Sequence, residues 1–321
     1  MVNIAVLGVG RMGMIHARNI ANSKTSVLRA ISDPDDATAK VISDETGAPI
    51  VSIDQVFADP DIEAVLIATP TDTHADLIER AANCGKAIFC EKPIDLSIDR
   101  VRKCLKVVEE TNTELFVGFN RRFHNTIAKM RKRLKSGEIG KLEILSIVSY
   151  DPLPPPAGYT ARSGGIFRDM MIHDIDLARW FLDEPIVAVR ATGSAIINPE
   201  IGIAGDWDSA IAILKTKSGA LCHIANSRRC IYGHGPRLAI HGSEGALEAD
   251  NWTRTAEPVL DTKFQARFAS AYQAELEYFA LSLKGGKSLE PSGKDGLAAL
   301  KVAEAATRAA TSGKTIDPGE I

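Results

Sequence analysis

No apolar run in this 321-residue chain approaches the roughly 18 residues that a bilayer-spanning helix requires. An excess of one charge is missing too: 38 lysines and arginines against 41 aspartates and glutamates leave a net charge of −3. That balance gives no electrostatic case for a nucleic-acid partner. The one dense basic run, Arg131-Lys132-Arg133 with Lys135, reads as the solvated face of a helix. Cysteine is sparse, and the five present (Cys84, Cys90, Cys104, Cys222, Cys230) form no CxxC pair. This argues against a zinc ribbon or a disulfide framework and fits reduced thiols in the cytoplasm. The opening MVNIAVLGVG enters an apolar segment with no basic leader, so no signal peptide is expected. A P-loop is absent as well. The Gly-Lys pairs at Gly286, Gly293 and Gly313 have Leu281, Ser288 and Arg308 where the loop's first glycine must stand.

What is present belongs to a globular protein: 45% hydrophobic and 25% charged residues, over a length that suits two domains at roughly 150 residues each. The first 120 residues alternate short apolar runs (Val2–Leu7, Val27–Ser32, Ala64–Ala68, Ala87–Cys90, Leu115–Phe119) with amphipathic stretches (Met12–Ala21, Asp35–Glu45, Thr73–Asn83, Ser97–Thr111). Near-continuous apolar strands separated by helices predict a doubly wound parallel sheet, an α/β domain over 1–121. The pattern then changes. A basic helix near Asn125–Lys135, a strand Leu142–Tyr150 and a proline-rich loop DPLPPPAGY precede one helix near Met170–Leu182. Strand-like stretches follow at Ile186–Ile197, Ser209–Lys215, Ala220–Asn226 and Arg237–His241, with turns at Lys217-Ser218-Gly219 and Ser243-Glu244-Gly245. Alanine-rich helices near Ala269–Leu283 and Gly296–Thr311 close the chain. The second domain, 122–321, is expected to be α+β, with an open and mostly antiparallel sheet.

Three groups of residues carry chemistry. Gly8-Val9-Gly10-Arg11-Met12-Gly13 is a GxGxxG between a strand and a helix, and Asp33 stands 20 residues beyond it at the end of the next strand. Together these form the dinucleotide-binding fingerprint. Gly8 permits the tight turn, Gly10 lets the backbone approach a pyrophosphate, and Gly13 allows close helix–strand packing. Asp33 suits the ribose hydroxyls, Asp35 and Asp36 add negative charge, and no arginine follows to receive a 2′-phosphate. NAD is expected rather than NADP. Second, Glu91-Lys92-Pro93 ends a strand, where ligands of open α/β sheets bind. A surface lysine before a turn proline fits the same spacing. Third, in Asp169-Met170-Met171-Ile172-His173-Asp174-Ile175-Asp176, a helix would set Asp169 and His173 at i and i+4. An aspartate that orients a histidine makes a general base. A structural Asp–His hydrogen bond remains open, and so does metal ligation by His173 with Asp176, though no second histidine lies nearby.

The GxGxMG start, ATPTDTH at 68–74, FCEKP at 89–93, GFNRRF at 118–123 and DxxxHDxD at 169–176 together resemble the Gfo/Idh/MocA oxidoreductases. The match runs from Val2 to about Thr311. RSGGIFRDMMIHDIDLARW, NSRR followed by Tyr232-Gly233, and PSGKDGLAAL are similar to the inositol-oxidising branch. The resemblance implies a Rossmann domain plus a sheet domain that assembles into a homotetramer. It also implies NAD as cofactor and oxidation of a ring secondary alcohol in inositol catabolism, myo-inositol to its 2-keto product, without a metal. By position, Lys92, Asp169 and His173 match the catalytic residues. Arg11 and Met12, Thr69-Pro70-Thr71, His74 and Glu91 match places around NAD. Arg121 matches the junction of nicotinamide and substrate, and Asp151 a polar substrate contact. His234 stands where a tyrosine that can contact the polyol is common, and His124 replaces an aspartate after GFNRRF. Another inositol isomer, a sugar, an NAD-dependent glycosidase and a non-catalytic nucleotide sensor remain alternatives on the same scaffold.

Overall fold

In the computed structural model, which describes residues 1–230, 237–250 and 264–321, the apolar runs of the N-terminal third become parallel strands. These are β1 (Val2–Leu7), β2 (Ser26–Ser32), β3 (Ala64–Ile67), β4 (Ala87–Cys90) and β5 (Leu115–Val117), ordered β2-β1-β3-β4-β5. Between them lie α1 (Arg11–Ala21), α2 (Asp36–Thr46), α3 (Ile53–Ala58), α4 (His74–Asn83) and α5 (Ile98–Glu110). Every residue of β3 is buried, as a strand covered on both faces requires. Helix α3 is not among the sequence expectations. Its six residues are too few for a period, and a Ser52–Gln55 capping box defines it instead.

The chain divides into two units, Met1–Phe123 with Phe268–Leu297, and His124–Arg267 with Ala298–Ile321. An uninterrupted second domain over 122–321 is therefore not what the contacts show. The returning segment comes from α11 (Phe264–Lys284) and the first turns of α12 (Gly293–Ser312). Phe279 packs 5.6 Å from Phe89 and 5.9 Å from Phe116, ring centre to ring centre, and Leu276, Ala280 and Leu289 join the same core. Burying one such phenylalanine is worth roughly 1.5–3 kcal/mol, enough to decide which sheet the helix covers.

In the second unit, α6 (Asn125–Lys135) precedes β6 (Leu142–Tyr150), and α7 (Ala157–Ser163), α8 (Gly165–Asp169) and α9 (Ile172–Leu182) follow. Then come β7 (Ile186–Ser194), α10 (Pro199–Ile203), β8 (Ser209–Thr216), β9 (Leu221–Ser227), β10 (Arg237–Gly242) and β11 (Gly245–Asp250). The sheet order is β11-β10-β6-β9-β8-β7, antiparallel throughout except for the β6–β9 pair. Helix α9 is fixed to this sheet by the buried Asp174 carboxylate, which accepts from Ser149 Oγ and Asn226 Nδ2, both at 2.8 Å. The basic run is only partly solvated. Arg131 is buried, lies 5.6 Å from the Trp180 ring centre and pairs with Asp183 at 3.4 Å. Helix α7 begins inside the stretch expected as loop, and the helix expected over Met170–Leu182 is shorter by two residues.

Candidate active site

The glycine loop shows why each glycine is needed. Gly8 has φ +83°, and a Cβ there would meet the Ala68 carbonyl oxygen at 2.8 Å. A Cβ on Gly13 would fall 1.8 Å from the Gly8 carbonyl oxygen. Gly10 differs: it is exposed, and nothing lies within 4 Å of its would-be Cβ. Protein packing does not explain Gly10, whereas close approach of a pyrophosphate does. Gly10 also caps α1 without a side-chain hydrogen bond, and the first turn has no acidic residue. This helix N-terminus suits an anion, with Arg11 exposed and Met12 half-buried at the same turn. These features fit NAD. Asp33 sits beside them, accepting from the Val9 amide at 2.6 Å and the Asp35 amide at 2.9 Å. The carboxylate expected at the ribose therefore also holds the glycine loop.

Across the strand ends, Thr69, Pro70 and Thr71 form a partly exposed turn after β3. His74 is buried behind it, its ring nitrogens 2.8 Å from the carbonyl oxygens of Thr69 and Pro93. It braces two loops of the nucleotide side. Glu91 is likewise interior: Oε1 meets His16 Nε2 at 2.7 Å, and Oε2 accepts from the Lys92 amide at 3.3 Å. Lys92 itself is half-buried, before a cis bond to Pro93. Arg121 follows β5, its guanidinium 5.9 Å from the Phe268 ring centre. Among the described residues, one set of three metal-type donors lies within 4.8 Å, namely His16, Glu91 and Glu275. It excludes Asp176, which is buried in α9. The 2.7 Å His16–Glu91 contact is a direct hydrogen bond, whereas the Glu275 oxygens have no hydrogen-bond partner.

In the second unit the helix expected to carry both Asp169 and His173 is broken. Asp169 ends α8, and His173 lies in the first turn of α9. At the break the Met171 amide reaches the Ile166 carbonyl at 2.8 Å, and α9 restarts with the Asp174 amide on the Met171 carbonyl. Asp169 accepts from the Tyr159 hydroxyl at 3.1 Å and faces the guanidinium of Arg228 at 3.9 Å. Arg228 is 1% exposed and also meets Asp206 at 3.5 Å. Neither Tyr159 nor Arg228 is a sequence-expected site residue. Tyr159 follows a proline-rich stretch with no helical period, and Arg228 lies in NSRR, which carried a resemblance but no chemistry. Asp151 is half-buried after β6, its amide bound to the Ser227 carbonyl at 2.8 Å. His234 lies outside the described residues.

Known proteins agree with this architecture. Residues 2–119 match the family model for the oxidoreductase family NAD-binding Rossmann fold, and 127–248 match the GFO/IDH/MocA C-terminal domain. The chain is 47% identical over 317 residues to an inositol 2-dehydrogenase of Rhizobium meliloti, covering 96% of each protein. It superposes with a TM-score of 0.93 on a myo-inositol dehydrogenase from Corynebacterium glutamicum, at 42% identity and covering 99% and 98% of the two chains. The scyllo-inositol dehydrogenase of Lactobacillus casei, solved with bound NAD(H) and scyllo-inositol, gives 0.90 at 28% identity, with 99% of each chain covered. With a nucleotide fingerprint whose Gly10 has no packing role, and with both halves matched in order, the chain belongs to the Gfo/Idh/MocA family of NAD-binding oxidoreductases.

Proposed function

We propose that this chain is an NAD-dependent dehydrogenase that oxidises a ring secondary alcohol, myo-inositol, to the 2-keto product. The observation that carries the reading is whole-chain identity of 47% to an inositol 2-dehydrogenase, in a sequence that has Lys92, Asp169 and His173 at the motif positions. Bound NAD supplies the acceptor for the hydride that leaves the ring carbon. His173 takes the hydroxyl proton, so the alcohol loses a hydride and a proton and becomes a ketone. Asp169 orients the imidazole and offsets the charge it gains, and Tyr159 and Arg228 hold that carboxylate. The Lys92 ammonium stabilises negative charge growing on the substrate oxygen. With lysine in that electrophilic role, no metal is needed. Arg121 and Asp151 are assigned to the substrate in this reading, and His234 is assigned to it from its position in the sequence alone.

The test is the purified protein with NAD and a panel of inositol isomers and sugars, followed by NADH absorbance. Fastest NADH formation on myo-inositol is expected. Preference for scyllo-inositol or a sugar would change the substrate but not the reaction. Cleavage of a glycoside without net NADH would replace the dehydrogenase by a glycosidase, and binding without turnover would leave a sensor.

The protein is also proposed to act as a homotetramer in the cytoplasm. Self-association is supported by the outer face of the second sheet, where Ile144 and Leu221 are register partners and Ile213 and Ile211 lie further along, opposite His223 and Ala225, all four 42–51% exposed. An apolar sheet face of this kind is normally covered. The cytoplasm is supported by five unpaired cysteines. No helix among the described residues is long and apolar enough to cross a membrane.

A further inference from the structure

Behind Lys92 the first unit buries two carboxylates together. Glu91, just after β4, has partners for both its oxygens: the His16 ring from α1 and the Lys92 amide, which donates. Glu275, from α11, is 0% exposed, and neither of its oxygens has a hydrogen-bond partner. Donor atoms of His16, Glu91 and Glu275 lie within 4.8 Å of one another. Around them are the Phe89 ring, 5.1 Å from His16, and the Tyr272 ring, 5.7 Å from it on the same helix as Glu275. The more distant charges are Arg11 and Arg121, which act on Tyr272. Two carboxylates this close in an apolar interior cannot both be ionised. The proton belongs on the one without donors.

We propose that Glu275 is a neutral carboxylic acid and, with His16, a positioning residue that fixes Glu91 and through it the backbone of Lys92. Burial, and then the Glu91 charge, push the Glu275 carboxyl well above its usual range, and burial does the same to the Tyr272 hydroxyl. With Glu275 neutral, the cluster holds at most one carboxylate charge rather than two. An ionised Glu275 would add a second and press the two carboxylates apart, shifting the segment that Glu91 holds. An ionisable residue in the apolar stripe Phe268, Ala271, Tyr272, Leu276, Phe279 is otherwise unexplained, since stability alone favours an apolar side chain there.

The functional part rests on the role given to Lys92 above, so the test includes readouts independent of turnover. Infrared difference spectra of wild type minus Glu275→Gln at neutral pH should show the carbonyl stretch of a protonated acid, shifted in D2O. Loss of ionised-carboxylate bands instead would overturn the proposal. So would a stoichiometric metal in the purified wild type that Glu275→Gln fails to retain. For positioning, the lysines are reductively methylated with ¹³C and the Lys92 resonance is assigned with Lys92→Arg. Glu275→Ala and His16→Ala should move that resonance, and Glu275→Gln should restore it. With an active dehydrogenase, Glu275→Ala should lower kcat roughly 10- to 100-fold, as small misplacements do. KM for NAD should stay nearly unchanged, and Glu275→Gln should rescue. A Lys92 resonance and kcat indifferent to Glu275→Ala, with only the unfolding midpoint lowered, would reduce Glu275 to a packing residue.

Discussion

At Gly10 and Gly13 the same substitution should have opposite consequences. Gly13→Ala forces a Cβ to within 1.8 Å of a backbone oxygen, so the protein should lose stability or fail to fold. Gly10→Ala meets nothing within 4 Å, and its φ of −64° suits alanine. It should keep the wild-type melting temperature yet weaken NAD binding, as calorimetry on the folded variant would reveal. Unchanged NAD affinity would mean that the pyrophosphate does not pass Gly10. Asp33→Ala should narrow the preference for NAD over NADP, and it should also weaken both cofactors, because the Val9 and Asp35 amides lose their acceptor. On the catalytic side, His173→Ala should slow turnover roughly 10²–10⁴-fold, the range for loss of a general base, with NAD affinity almost unaffected. Asp169→Asn should also be damaging, since an amide cannot offset an imidazolium. The Asp169/His173 double variant should be little worse than the poorer single one, because residues that act as a unit are strongly non-additive. Near-normal kcat in His173→Ala would return the Asp–His segment to a structural role.

Elements in the second unit are tied down by buried carboxylates. Asp174 pins α9 to β6 and β9, and Asp208 gathers the amides of Ile196, Ile197 and Asn198 at 3.1, 2.7 and 2.9 Å, with the Ser209 hydroxyl at 3.1 Å. Burial pushes the Asp208 carboxyl up, but the three amides and the hydroxyl outweigh it, and the net shift is downward. A carboxylate whose folded pKa lies below its unfolded value, about 3.9, stabilises the fold fully above that pH. This contribution is lost as the pH falls through the folded pKa. Urea midpoints should therefore decline below about pH 4, and the Asp208→Asn variant should show less of that decline. Asp208→Ala should cost roughly 1–3 kcal/mol at neutral pH, because three part-buried amides lose their acceptor. A variant as stable as wild type would show that the turn finds other partners.

For the whole molecule, the exposed sheet face makes a prediction about assembly. Ile211 and Ile213 point outward from the middle of β8, while Ala210, Ala212 and Leu214 point into the core. Ile213→Glu with Ile211→Glu should leave the fold intact and release monomers of about 34.5 kDa by light scattering. A wild-type protein that is already monomeric at micromolar concentration would refute self-association through this face.

The strands of the parallel sheet were legible because burial on both faces leaves apolar runs that only glycine, proline and polar residues interrupt. The glycine fingerprint was legible because backbone geometry at a nucleotide admits few residues. Lys92 stood out by its place at the end of a strand, and Asp169 with His173 by their i, i+4 spacing; motif order joined them. Tertiary structure alone decided the rest. Alanine-rich composition marks α11 as a helix but not which sheet it will cover, and the aromatic side chains around Phe89 and Phe116 settle that. The i, i+4 spacing of Asp169 and His173 suggested one helix, yet the helix breaks between them at Met170 and Met171, both buried. Arg228 and Glu275 carry no local signal, because a charged residue declares its partner only when distant segments meet. Hydrophobic pattern is written along the chain, whereas the compensation of a buried charge depends on which groups the fold brings within a few ångströms.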